Sequence, residues 1–134
     1  VKEDMWRALT DYADLAFLNE EEAAALTGKT EAEALVEVAN HVHTPVVKLG
    51  SRGSLILQEN EIIHVGIHAA NAIDTTGAGD TYAAGFIHGW LRGWPLTRCA
   101  DLGARLAALT VSQIGAVCRD RAAIAEALAV SEPA

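Results

Sequence analysis

Two short apolar runs, Leu15-Ala16-Phe17-Leu18 and Pro45-Val46-Val47-Lys48-Leu49-Gly50, limit what this chain can fold into more than any other feature. Each suits a buried strand, and the residues around them have helical spacing. Met5, Leu9 and Tyr12 recur at helical intervals before the first run. Between the runs, Glu20 to Leu26 reads as a short helix closed by Gly28, and Thr30 opens another in which Leu35, Val38, Ala39 and Val42 share a face. Beyond the second run, Leu55-Ile56-Leu57 and Ile62-Ile63-His64-Val65 flank the polar turn Gln58-Glu59-Asn60-Glu61 as a hairpin would. Strands alternating with helices predict an α/β layer architecture around a mixed sheet.

The second half reads as helices. Tyr82, Phe86, Ile87, Trp90 and Leu91 repeat at threes and fours, which predicts a helix running from the glycines of residues 77–79 to about Gly93, with Pro95 blocking its continuation. Thr97 is placed to cap a further helix striped by Cys99, Leu102, Leu106 and Leu109, and Asp120 to cap a last one with Ile124, Ala127 and Leu128 inward. There is no internal repeat and no convincing linker, so residues 1–134 read as a single domain. A hydrophobic share of 51% supplies a core for it.

Composition narrows the function. A net charge of −8 argues against a surface that collects phosphodiester backbones, so no nucleic-acid partner is expected. Cys99 and Cys118 lack the spacing of a zinc site or redox pair, and no apolar run reaches the length a bilayer demands. A cytoplasmic protein without a membrane partner is the expectation. The five histidines share no metal-ligand spacing, and Trp6, Trp90 and Trp94 read as packing residues.

The segment richest in chemistry is Asp74-Thr75-Thr76-Gly77-Ala78-Gly79-Asp80. Small residues at a helix start leave successive backbone N–H groups converging on one spot, where the helix dipole also favours an anion. Asp80 falls in the first turn, ionised and able to take a proton from an alcohol held against a phosphate over Gly77 to Gly79. A glycine turn with a carboxylate that complements the dipole is the plainer alternative. No Lys-Ser or Lys-Thr follows as in a Walker loop, and Tyr82 stands where a dinucleotide fingerprint has its third glycine.

Together with Thr81-Tyr82-Ala83-Ala84-Gly85-Phe86, this segment closely resembles the signature of the PfkB, or ribokinase-like, family of carbohydrate and nucleoside kinases. The likeness continues, in the family's order, through Ala13 to Glu22, Val46 to Gly53 and Ile114-Gly115-Ala116, so that it covers essentially the whole chain. Residues 84–116 are most similar to the adenosine-kinase-like bacterial branch. The resemblance implies the carboxy-terminal part of a ribokinase-like layered fold: a mostly parallel sheet with a hairpin and flanking helices, its amino-terminal half absent. That half supplies most of the sugar-binding residues in the family.

The resemblance further implies that Asp80 is the catalytic base, that Gly77, Ala78 and Gly79 form an anion hole, and that ATP with Mg2+ is the phosphoryl donor. Asn19 and Glu22 match the family's Asn-x-x-Glu pair, which organises magnesium, water and phosphate, although the same pair also reads as a helix capping box. Lys48, Gly50, Ser51 and Gly53 match the nucleotide-contacting segment, alongside Gly79. Asp74 and Thr76, with Gly115 nearby, match positions that approach K+ in some branches, while Asp74 could equally close its own loop. The implied partner is a sugar or nucleoside, and the chain is expected to self-associate or to need its missing half. Two alternatives stay open: a non-catalytic nucleotide- or phosphate-binding fragment, and a kinase of a hydroxymethyl vitamin precursor.

Overall fold

The computed structural model describes residues 1–115 and 118–134, so Ala116 of the third matching segment lies outside the described residues. The chain divides into two compact units, Val1–Val65 and Gly66–Ala134.

In the first unit, α1 (Lys2–Tyr12), β1 (Leu15–Asn19), α2 (Glu20–Thr27), α3 (Glu31–Ala39), β2 (Thr44–Lys48), a 3-10 turn (Gly50–Arg52), β3 (Ser54–Gln58) and β4 (Glu61–Val65) follow one another. The sheet runs in the order β1-β2-β3-β4. β1 and β2 pair in parallel, whereas β2–β3 and β3–β4 are antiparallel, so within this chain the sheet is mixed, and parallel pairing is confined to the strands joined through helices. That division follows from connection length. Parallel neighbours need a long crossover, which α2 and α3 provide, whereas β3 and β4 are joined by two residues. Those two, Glu59 and Asn60, have φ of 51° and 66°, the left-handed pair a tight hairpin turn requires. No strand among the described residues lies on the far side of β1.

The core of this unit is formed by Ala16 and Leu18 of β1, Val47 of β2, Leu55 of β3, Ala23 and Leu26 of α2, and Ala34, Leu35 and Val38 of α3. α1 rests on it through Trp6 and Leu9. The expected stripe of Met5, Leu9 and Tyr12 is therefore corrected by one position, since Met5 is 52% and Tyr12 85% exposed. Two adjacent stripes fit the spacing, and the one carrying the indole hides more apolar area. His41 secures α1 from beneath, its ring 4.3 Å from Trp6 and its Nδ1 2.8 Å from the Thr10 hydroxyl.

The second unit holds α4 (Ala78–Leu91), α5 (Leu96–Val111) and α6 (Arg121–Ser131). The α4 stripe read from the sequence is half right: Tyr82 and Phe86 are buried, yet Leu91 is 70% exposed, and Gly85 and Gly89 are buried in its place. Here the helices meet at their backbones. A Cβ on Gly85 would lie 2.9 Å from Gly103 Cα, and one on Gly89 would lie 2.7 Å from the Trp94 ring and 2.9 Å from Cys99 Sγ. Cys99 is fully buried in that contact, and burial pushes its thiol up to about 11. α5 begins at Leu96 with Pro95 as its N-cap, so Thr97 lies inside the helix and does not cap it. Proline has no side-chain acceptor; its carbonyl instead takes the first bonds of the helix, from Arg98 and Cys99 N–H at 2.9 and 3.1 Å. Asp120 caps α6 as expected, accepting from Ala123 N–H at 3.0 Å.

Candidate functional site

The glycine loop of the second unit is built around Asp74. Its Oδ1 accepts Thr76 N–H at 2.9 Å and its Oδ2 accepts Gly115 N–H at 3.1 Å. The Thr76 hydroxyl and amide and the Gly115 amide hold this carboxyl below the usual carboxylate range. Ile73 and Asp74 also donate their amides to Val111 O at the end of α5. Asp74 thus closes the loop through backbone bonds and joins it to Gly115.

Gly77 is the N-cap of α4, with φ of 79°, a conformation that favours glycine. The first bond of the helical ladder runs from Thr81 N–H to Gly77 O at 2.9 Å, so the amides of Gly79 and Asp80 fall before it. Ala78 N–H instead donates to Thr75 O at 3.2 Å, which turns one expected member of the anion hole back into the loop. Asp80 sits exposed in the first turn of α4. Asp80 and the amides of Gly79 and Asp80 therefore share the positive end of one helix, where charge on an anion is favoured.

The first unit carries the other matching residues. Asn19 and Lys48 end β1 and β2 and are register partners in the parallel pair, which places them side by side at the carboxyl edge of the sheet. Ligands meet open α/β sheets at that edge. Asn19 caps α2: its Oδ1 accepts Glu22 N–H at 2.8 Å, and Glu22 Oε1 accepts Asn19 N–H at 3.2 Å. The capping box is complete, so a cation would be met by the other oxygen of Glu22. Glu22 also lines an apolar groove of about 460 Å³ with Met5, Leu9, Phe17 and Leu26. Gly50, with φ of 60°, opens the 3-10 turn and Gly53, with φ of 96°, closes it, with exposed Ser51 between them. Arg52 braces the turn by binding Glu20 at 2.8 Å and Glu31 at 2.6 Å.

Among the described residues no three His, Cys, Asp or Glu side chains cluster as a metal cage. Magnesium needs none, because one or two carboxylates suffice where phosphate oxygens complete its shell. Asp74 fits potassium less well. Three donors occupy a carboxylate that offers about four acceptor positions, leaving it about one.

Spacing within the sequence reveals neither of two long-range ties, although the resemblance had already placed Gly115 near Asp74. Thr81 and Thr110 are joined hydroxyl to hydroxyl at 3.0 Å, and Gly115 reaches Asp74 from 41 residues away. No spacing rule links positions so far apart.

The first unit is thus a mixed α/β sheet with helices at its parallel pair, and the second opens a glycine loop onto a helix that carries an aspartate in its first turn. The chain belongs to the pfkB family of carbohydrate kinases, whose family model matches residues 2–120. It is 41% identical over 73 residues to a 5-dehydro-2-deoxygluconokinase of Geobacillus thermodenitrificans, covering 54% of this chain and 22% of that protein. The solved adenosine kinase from Sinorhizobium meliloti superposes with a TM-score of 0.85 at 32% identity, over 96% of this chain and 40% of that one. The Arabidopsis thaliana ribokinase complexed with ribose and ATP gives a TM-score of 0.79 at 34% identity, over 90% and 42%. The chain spans less than half the length of each of these relatives. The ribokinase-like fold is therefore shown for it, with sugar and nucleoside kinases alike among its neighbours. No helix among the described residues is long and apolar enough to cross a membrane.

Proposed function

We propose that residues 1–134 are the carboxy-terminal part of a single kinase domain that transfers the terminal phosphoryl group of ATP to an alcohol hydroxyl of a sugar or nucleoside. The observation that carries this reading is the placement of Asp80 in the first turn of α4, beside amides that precede the helical ladder. In the proposed reaction the Asp80 carboxylate accepts the hydroxyl proton while that oxygen bonds to the terminal phosphorus. The bond from phosphorus to the bridging oxygen breaks, and ADP leaves with the electron pair. The amides of Gly79 and Asp80 face the charge spread over the transferring group.

Asn19 and Glu22 are assigned to a magnesium ion and its waters, and Lys48, Gly50, Ser51 and Gly53 to the nucleotide. Bound magnesium would screen the phosphate charges. Potassium at Asp74 and Thr76 is the weakest of these assignments, because the carboxylate is already engaged by Thr76 and Gly115. ATP as donor is supported by the ribokinase relative, which was solved with ribose and ATP.

The test is Asp80→Asn in the full-length protein, assayed for ADP release against a panel of sugars and nucleosides. Turnover should fall by about 10² or more with ATP binding retained. Unchanged turnover would remove Asp80 from the role of base.

A further inference from the structure

Gly77 is the residue on which the orientation of the loop turns, and glycine alone does little to fix it. Its carbonyl is held from behind. Gly77 O accepts both the Thr81 amide and the Thr81 hydroxyl at 2.9 Å, and the Thr81 hydroxyl accepts in turn from the Thr110 hydroxyl at 3.0 Å. Thr110 is fully buried near the end of α5. A hydroxyl in such a place is costly unless bonded, and valine would fill the same space without that cost. The bond, more than the volume, is what threonine adds there.

The Gly77 carbonyl and the Ala78 amide belong to one rigid peptide plane. A carbonyl drawn along the helix by three linked bonds sets the tilt of that plane, and the residues that follow, Gly79 and Asp80, inherit it. We propose that Thr110 is a positioning residue: through Thr81 it fixes the Gly77 peptide plane, and so keeps Asp80 and the first amides of α4 in one orientation during phosphoryl transfer. The catalytic half of this statement rests on the function proposed above. The orientation half does not.

Three variants of the full-length protein test it: Thr110→Val, Thr110→Ser and Thr81→Val. Thr110→Val should lower kcat by about 3- to 10-fold while KM for ATP stays within about 2-fold, and Thr110→Ser should restore kcat. Thr81→Val, which cuts the relay at its middle, should lower kcat at least as far, and it stands in if Thr110→Val does not fold. A folded relay-cut variant with unchanged kcat overturns the proposal, as does a serine variant that fails as badly as valine. If the wild-type protein transfers no phosphoryl group, the functional reading falls and amide exchange decides the rest. The Thr81 amide, which donates to Gly77 O, should then exchange about 3- to 10-fold faster in Thr110→Val than in wild type, with the middle of α4 unaffected. Equal protection of the Thr81 amide in the two proteins overturns the relay.

Discussion

The two units fasten their candidate residues in opposite ways. In the first, Asn19 and Glu22 hold each other across three residues, within a single turn of α2. In the second, Asp74 reaches Gly115 across 41 positions and Thr110 reaches Thr81 across 29. A local tie secures one helix start, whereas a distant tie makes the loop depend on how α4 and α5 pack. Damage to packing should therefore travel to the loop in the second unit and stay local in the first.

The largest effect expected from breaking this contrast comes at Gly103. An added Cβ would lie 2.8 Å from Tyr82 O and 2.9 Å from the Tyr82 ring. Gly103→Ala should cost about 2 kcal/mol in denaturant unfolding, because overpacking against backbone outweighs the helix propensity gained. It should also speed exchange of the Thr81 amide, which ties the loop to α4 through Gly77 O, in the same protein. A stability loss that leaves that amide untouched would break the comparison.

A smaller effect is expected at Asn19. Asn19→Ala removes the side-chain half of the capping box and should cost about 1 kcal/mol, read as faster exchange in the first turn of α2 with the glycine loop unchanged. Loop amides that respond to this variant would mean that the two kinds of tie are not separate.

The smallest is a pH effect at Asp74, whose carboxyl is held low by Thr76 and Gly115. A depressed carboxyl contributes its stabilisation above the unfolded value of about 4 and loses it as pH falls through the lower folded value. The Gly115 and Thr76 amides should therefore keep their chemical shifts down to about pH 4 and move only below it. Asp74→Asn should abolish that movement. A transition above pH 5 would assign these amides to another group.

This contrast also explains what the sequence disclosed. The capping box at Asn19, the left-handed Gly28 after α2, the Glu59-Asn60 hairpin turn and the Asp120 cap all lie within a few residues of their partners, and each was readable. Asp80 at the start of α4 was readable for the same reason. Spacing did not disclose the Gly85–Gly103 contact, because a helical stripe marks large apolar residues and passes over glycines where backbones touch. It misplaced the cap of α5, since proline can begin a helix without a side-chain bond. It also missed Thr110, a polar side chain whose partner lies on another helix. The split at Val65 follows a break in three-dimensional contacts, and no glycine- or proline-rich linker marks it.

The burial of Cys99 against Gly89 and Trp94 makes its sulfur a clock. With its thiol pushed to about 11, about one molecule in a thousand would carry the reactive thiolate at pH 8 even if a reagent could reach it. Alkylation of that sulfur therefore waits for α4 and α5 to separate. Its rate, followed by mass spectrometry, counts the openings of the α4–α5 packing at the end away from the Thr81–Thr110 tie.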